Sequence, residues 1–244
     1  MRCADCESVD GLLHDTSVLW LGMPSKESFR RLRDLCSSQG VDAAAVGKST
    51  ILVKLARPEV DRFVTALYGE LQGPELAGTR VVVTDGHEPG AADLVRVMSG
   101  EVFVNRFKAE WIVEALDAGR YTTWFQPIVH AADPDPTRPY AREGLFRMRD
   151  KDGTLIPPGH VFGVAQDAGL LFSLDLVARR SAVEAAARAG VLSKVFVNFN
   201  PSSVYDPAYC LRTTAAGIEE LGLRPDDVVF ELTETHRAHE TVLD

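Results

Sequence analysis

Two periodicities of apolar residues divide the first hundred positions into strands and helices. An apolar residue at every second position indicates a half-buried strand, and a spacing near 3.6 indicates an amphipathic helix. The strands predicted in this way are 16–23, two strands within 43–56 that turn near Gly47 and Lys48, and 80–84; the helices are 25–40, between Ser25 and Gly40, and 58–73, between Pro58 and Gly73. The order β-α-β-β-α-β predicts a ferredoxin-like module within residues 1–100.

Beyond this module the pattern changes to strands that alternate with helices. A short helix is predicted within 88–100, and an amphipathic helix over 105–119 makes residues 101–120 a connecting helix. The later strands are predicted at 121–130, 141–149, 194–200 and 227–235, and the helices at 157–190, with a break near Gly169, and at 207–222. Such alternation is typical of parallel βα units. We therefore expect an α/β domain over residues 121–244.

The composition is that of a globular, acidic protein. The chain has 244 residues, of which 45% are hydrophobic and 25% charged, and it carries a net charge of −9. Because no stretch forms a basic stripe, a nucleic-acid duplex is not an expected partner. No apolar run reaches the ~18 residues that cross a bilayer, and the polar first ten residues do not form a signal peptide. We expect a cytoplasmic protein without a membrane segment.

The cysteines offer one weak metal motif. Cys3 and Cys6 form a C-x-x-C, which is half of a zinc site. Cys36 and His14 are candidates for the other two ligands, at spacings that match no established pattern. Two reduced thiols at a frayed terminus are the favoured interpretation, and the zinc site stays open as the alternative.

Polar side chains occur in three strands of the second half that are otherwise apolar. Glu143 and Arg147 lie on the same side of strand 141–149 as Leu145, because residues two apart share a face of a strand. Asn198 follows "VFV" in the next strand, and Glu231 follows "VVF" in the one after it. One acid in a strand is usually solvated, but three strands that end in such groups indicate a site. Carboxylate and amide oxygens suit Mg²⁺ or Mn²⁺.

The second half resembles the EAL domain family, the bacterial phosphodiesterases that hydrolyse cyclic di-GMP. The motifs that carry the resemblance are, in chain order, "FQPIV" (125–129), "EGLFR" (143–147), "IPPGHVFGVAQDAGLLFSLD" (156–175), "VNFNP" (197–201) and "GLRPDDVVFELTE" (222–234). The second of them stands where the family has E-A-L-L-R. Five motifs in the family's order are far more specific than any one of them. The resemblance runs from about Tyr121 to Thr235, and the first hundred residues lie outside it.

The resemblance implies a fold, a reaction and a set of site residues. The fold is a TIM-like (β/α) barrel whose rim holds two divalent metal ions, Mg²⁺ or Mn²⁺. The reaction is hydrolysis of cyclic di-GMP to linear pGpG, a step of bacterial second-messenger signal transduction. By resemblance, the metal ligands are Glu143, which is also the catalytic residue, Asn198 and Glu231. The residues that contact the dinucleotide are Gln126, Leu145 and Arg147, and Glu234 braces an active-site loop. A homodimer through the barrel domain is a further expectation.

The sequence departs from the family in extent and in detail. Later family strands bring an Asp-Asp pair, a lysine that helps to activate water and a further glutamate, which have no counterpart here. We therefore expect residues 121–244 to form the N-terminal half of such a barrel, a fragment that is inactive alone. In the motifs, Gly144 replaces an alanine, Asn200 a serine and Met148 a frequent tryptophan. The alternative function is a non-catalytic cyclic di-GMP receptor or a protein-interaction module.

Overall fold

The chain divides into two units. The computed structural model describes residues 16–232, apart from 72, 133–134, 136, 191–192, 201–214 and 216–217. The described part of the first unit consists of residues 16–111 and 167–169, and that of the second consists of 112–166 and 170–232. Cys3, Cys6, His14 and Glu234 were singled out from the sequence and lie outside the described residues.

Strands and helices follow one another in the first unit in the predicted order. The elements are β1 (Thr16–Gly22), α1 (Lys26–Gln39), β2 (Asp42–Val46), β3 (Thr50–Ala56), α2 (Arg57–Glu70), α3 (Pro74–Gly78), β4 (Arg80–Thr84) and β5 (Met98–Ser99). Local capping fixes α1 where the sequence predicted it. The Ser25 side chain accepts the N–H of Ser28 at its beginning, and Gly40 turns at φ 66° at its end.

The end of α2 differs from the prediction. The helix ends at Glu70 and does not continue to Gly73. Leu71 leaves it in extended conformation, at φ −105° and ψ 118°, and its side chain is completely buried. Burial of this leucine therefore decides where the helix ends. Gly73 has a φ of 52° and precedes α3, an additional short helix that begins with Pro74.

The first sheet has the strand order β2-β3-β1-β4-β5, and every neighbouring pair is antiparallel. In the central strand, Leu19 pairs with Val53 on one side and with Val83 on the other. Side chains of α1 and α2 share one buried core with these strands. Cys36 belongs to that core, and burial raises the pKa of its thiol to about 11. Cys36 therefore packs as an apolar side chain of this core.

The segment between the two halves also differs from the prediction. In place of a short helix within 88–100, a 3₁₀ helix (Ala91–Arg96) precedes β5. Residues 101–120, expected as one connecting helix, contain two: α4 (Gly100–Lys108) and α5 (Glu110–Asp117). Ala109 interrupts them with a φ of −94° and a ψ of 4°, and it is completely buried. The apolar spacing continues across this break, which is why periodicity alone did not reveal it.

The second unit alternates strands and helices, as expected. Its elements are β6 (Tyr121–Ile128), β7 (Ala141–Arg149), β8 (Leu155–Ile156), α6 (Pro158–Asp167), α7 (Leu171–Arg188), β9 (Lys194–Phe199), a 3₁₀ helix (Pro225–Asp227) and β10 (Val228–Leu232). The predicted break at Gly169 is confirmed, since this residue has a φ of 66° between α6 and α7. The two-residue β8, which pairs with β7, was not predicted. Most of the predicted helix 207–222 lies outside the described residues.

The second sheet has the order β10-β9-β7-β6. The predicted parallel arrangement is confirmed for β7, β9 and β10, whereas β6 runs antiparallel to β7. The helix α7 covers one face, where Thr123 Oγ1 and Ser181 Oγ share a hydrogen bond of 2.9 Å. On the same face, a Cβ placed on Gly144 would lie 3.0 Å from Ala182 Cβ. The glycine therefore allows α7 to approach β7 closely.

The fold is thus mixed α/β in both units, as predicted. In the part of the chain that the structure describes, no helix combines the length and apolar character needed to cross a bilayer.

Candidate functional site

One face of the second sheet, on the side opposite α7, carries every predicted site residue that the structure describes. Gln126 pairs with Glu143 across the antiparallel strands, and Glu143 pairs with Phe196 across the parallel strands. Paired residues of neighbouring strands share a face of the sheet. We call one part of this surface the open face, which we define by Thr122, Trp124, Gln126, Glu143, Leu145, Arg147, Phe196, Asn198, Val229 and Glu231.

A hydrogen bond joins two of the predicted metal ligands. Asn198 Nδ2 donates to Glu143 Oε1 at 2.8 Å. Glu231 lies directly opposite Asn198 in the register of β9 and β10. The side chains of the three predicted ligands therefore come from adjacent strands of one face.

The predicted position near the end of a strand is confirmed for Asn198 and Glu231 but not for Glu143. Asn198 is the next-to-last residue of β9, and Glu231 is the next-to-last of β10. Glu143 is the third residue of β7 and does not end its strand. The register places Glu143 opposite Phe196, two residues before Asn198, which is about 6.6 Å along a strand. The two side chains lean along the sheet to meet.

Two carboxylates and a carboxamide provide oxygen donors where the three strands adjoin. Because Asn198 donates its amide hydrogen to Glu143, its oxygen Oδ1 is the atom left to bind a cation. Such hard oxygen donors fit Mg²⁺ or Mn²⁺. Among the described residues, no group of three or more His, Cys, Asp or Glu side chains could hold a metal ion. Asn198 contacts Glu143 and pairs in register with Glu231, so it lies between the two strands that carry the carboxylates.

A guanidinium lies over an aromatic ring on the same face. Arg147 Cζ is 5.1 Å from the centroid of the Trp124 ring, and Arg147 Nη1 donates to the carbonyl oxygen of Phe146 at 2.8 Å. Trp124 is 46% exposed, so its ring remains available to another planar group. Attraction between a cation and an indole ring holds such a pair together. A planar anionic molecule can stack on the ring and bind the guanidinium.

Behind Asn198, on the covered side of the sheet, α7 contributes a buried ion pair. Arg179 Nε donates to Asp175 Oδ2 at 3.0 Å, and the two residues are 0% and 4% exposed. Asp175 Oδ1 accepts the N–H of Asn200 at 3.3 Å. The Arg179 guanidinium lies 5.1 Å from the ring centroid of Phe199. The pair therefore contacts the two residues that follow Asn198.

Comparison with known protein families identifies the second half of the chain. Residues 109–244, more than half of the sequence, match the EAL domain family. The chain belongs to the EAL domain family. Every residue of the open face lies within the EAL domain, as do Asp175 and Arg179. No curated protein matches the chain.

Solved EAL structures resemble part of the chain. The FimX EAL domain from Pseudomonas aeruginosa bound to c-di-GMP is 22% identical over 52% of this chain and 49% of that chain, with a TM-score of 0.43. A standalone EAL protein from Vibrio cholerae O395 in its c-di-GMP-bound form is 26% identical over 49% and 47%, with a TM-score of 0.39. The PaMucR phosphodiesterase in complex with c-di-GMP is 18% identical over 55% and 54%, with a TM-score of 0.46. The chain spans about half the length of these structures.

Sequence reasoning missed three residues that the structure brings to this EAL domain. Trp124 lies two residues before Gln126, and the alternation of a strand could have placed both on one face. Asp175 and Arg179 lie four residues apart, a spacing that pairs opposite charges on one side of a helix. Their burial depends on how α7 packs against the sheet, which the spacing does not reveal.

Proposed function

We propose that this EAL domain forms part of a cyclic di-GMP phosphodiesterase, an enzyme that hydrolyses the cyclic dinucleotide to linear pGpG. The hydrogen bond between Asn198 and Glu143, with Glu231 beside Asn198 in register, is the observation that carries the proposal. The substrate is a phosphodiester anion and the chain has a net charge of −9. Bound cations would reduce the repulsion between the anionic substrate and the acidic protein.

In this proposal, Glu143, Asn198 and Glu231 hold Mg²⁺ or Mn²⁺. A pair of such ions stabilises the attacking and the leaving oxygen of an in-line displacement. Asn198 Nδ2 donates to Glu143 Oε1, so Oε2 of the same carboxylate would be the oxygen left to hold a cation. This hydrogen bond orients the catalytic carboxylate before a ligand binds.

Arg147, Leu145 and Gln126 bind the dinucleotide in the same proposal. Arg147 supplies a planar guanidinium, which suits a phosphate oxygen better than a point charge does. Leu145 lies between Arg147 and Glu143 on β7 and is half-buried, while Gln126 is exposed opposite Glu143. Outside the described residues, Glu234 is proposed to brace a neighbouring loop.

A second candidate function is a receptor that binds cyclic di-GMP without hydrolysis. The pairing of Trp124 with Arg147 favours it, because this ring and cation need no metal ion to bind a planar anion. Binding that persists without metal therefore separates the receptor from the enzyme.

For the whole chain, we propose three parts. These are a ferredoxin-like regulatory module over residues 1–100, a connection over 101–120 and the first half of a TIM-like barrel over 121–244. The strand order β2-β3-β1-β4 with antiparallel neighbours supports the module. The parallel β7, β9 and β10 support the half-barrel. A cytoplasmic location and a homodimer through the barrel domain belong to the same proposal.

Calorimetric titration of cyclic di-GMP into the chain tests both functions. For the phosphodiesterase site, we expect binding in Mn²⁺ that weakens in chelator and in Glu143→Gln. For the receptor, we expect binding that persists in chelator and is lost in Arg147→Ala. Arg142→Ala is the matched control, because Arg142 belongs to the same strand and donates to Ser193 at 2.7 Å outside the open face. Absence of binding under both conditions, in a folded protein, contradicts both functions.

A further inference from the structure

We propose that the buried pair of Asp175 and Arg179 positions Asn198 toward Glu143. The pair is not part of the oxygen-donor set, yet it contacts the chain immediately after Asn198 through Phe199 and Asn200. The inference rests on the proposed function only for the role of Asn198 as a metal ligand.

Alternation along β9 connects the two sides of the sheet. Successive side chains of a strand point to opposite faces, so Phe199 points toward α7 while Asn198 points to the open face. Arg179 lies over the Phe199 ring, and Asp175 accepts the N–H of Asn200. These contacts fix the backbone that follows Asn198 and, with it, the direction of the Asn198 amide toward Glu143 Oε1.

The same contacts extend to the strand that carries Glu231. The rings of Phe199 and Phe230 are 6.0 Å apart and tilted by 59°. Phe230 immediately precedes Glu231 on β10, so it packs on the covered side while Glu231 points to the open face. Arg179, Phe199 and Phe230 thus form a row behind the two ligand strands.

The burial of the pair favours a positioning role over a purely stabilising one. Two charges that leave water lose their hydration, and an apolar pair of similar volume is often at least as stable. Arg179 is 0% exposed and Asp175 is 4% exposed. What an apolar pair cannot replace is the acceptor for the Asn200 N–H. Residues that orient a metal ligand in this way typically affect metal affinity by about tenfold to a hundredfold.

Two double variants isolate this acceptor. Asp175→Asn with Arg179→Met removes both charges, keeps an oxygen for the Asn200 N–H and keeps an unbranched side chain over the Phe199 ring. Asp175→Ala with Arg179→Met removes both charges and the acceptor. Hydrogen exchange of the Asn198 side-chain amide, followed by NMR, reports its hydrogen bond to Glu143. We expect protection close to that of the original protein in the first variant and at least a tenfold loss in the second. Mn²⁺ affinity should fall in parallel, by about tenfold or more.

Equal protection of the Asn198 amide in both variants overturns the inference, provided that both unfold cooperatively. The original protein gives a test that does not depend on the folding of any variant. The Asn200 backbone N–H should exchange slowly, and exchange at the rate of an unfolded chain overturns the inference. If the original protein does not bind Mn²⁺, the proposed metal site fails, while the amide measurements still decide whether the pair positions Asn198.

Discussion

At the scale of single residues, the close packing of Ala182 on α7 explains why position 144 is a glycine. Free backbone rotation makes glycine unfavourable in a strand by about 0.5–1 kcal/mol. In this chain the glycine avoids a steric clash, which offsets this cost. A Cβ at position 144 would lie 3.0 Å from Ala182 Cβ and 3.4 Å from Thr123 Cγ2. The alanine common in the EAL signature would therefore crowd α7 here.

We expect Gly144→Ala to destabilise the second unit, because overpacking of a core costs about 1–3 kcal/mol. On the background of Ala182→Gly the same change should be neutral or stabilising. Hydrogen exchange of the β7 amides measures both effects. Gly163→Ala in α6 is the control, since nothing lies within 4 Å of its added Cβ, and it should stabilise equally on both backgrounds. Additivity of Gly144→Ala and Ala182→Gly within about 0.5 kcal/mol contradicts the steric account.

Trp124 is the open-face residue with the largest ring. We expect Trp124→Ala to weaken binding of cyclic di-GMP, because stacking of a base on an aromatic ring contributes about 1–3 kcal/mol. Trp124→Phe should retain most of the affinity. Fluorescence titration in a Trp20→Phe, Trp111→Phe background measures both the affinity and the contact, since Trp124 is then the sole indole. Unchanged emission during binding that calorimetry detects would show that the base lies elsewhere.

At the scale of elements, local signals and packing compete. The caps at Ser25 and Gly40 act within a few residues, and the sequence placed α1 correctly from them. From the sequence, Gly73 was expected to end α2. The helix instead ends at Glu70, where Leu71 turns into the core. Likewise, alternation along β7 predicted that Glu143 and Arg147 share a face. The meeting of Glu143 with Asn198 depends on the register between strands, which no local pattern encodes.

The loop after β4 contains a histidine held between two carboxylates. His87 Nδ1 lies 2.6 Å from Asp85 Oδ1, and His87 Nε2 lies 3.3 Å from Asp93 Oδ2. Hydrogen bonds to Asp85 and then to Asp93 raise the pKa of His87. The bond to His87 lowers the pKa of Asp85, and the Gly90 N–H, followed by His87, lowers the pKa of Asp93.

The sign of each shift defines the pH range in which this loop is held. The raised pKa of His87 gives a stabilisation that is complete below about pH 6.5 and is lost as the pH rises through the raised value. The lowered pKa values of Asp85 and Asp93 give one that is complete above about pH 4 and is lost as the pH falls through them. We expect NMR titration to place the His87 pKa above 6.5 and Asp93→Asn to lower it. A His87 pKa at or below 6.5 contradicts this arrangement.

At the scale of the whole molecule, the EAL family was predictable from five short motifs, and the match over residues 109–244 confirms it. The motifs also named seven site residues, of which six lie on one face of one sheet. The contributions from the covered side were not predictable. Asp175 and Arg179 act on Asn198 through the thickness of the sheet, and only the packing of α7 brings them there.

The number of predicted metal ligands among the described residues of the open face determines what we expect for turnover. Glu143, Asn198 and Glu231 offer three oxygen-donor side chains, whereas one Mg²⁺ ion takes six ligands and keeps several waters when the protein supplies few. We therefore expect the 244-residue polypeptide to bind Mn²⁺ weakly and to form no pGpG above the level of Glu143→Gln. Chromatographic separation of cyclic di-GMP from pGpG after incubation with Mn²⁺ measures this. Turnover that disappears in Glu143→Gln contradicts the prediction and means that further ligands reach the open face. Glu184→Gln on α7 is the matched control, because this carboxylate pairs with Arg180 at 2.7 Å outside the site.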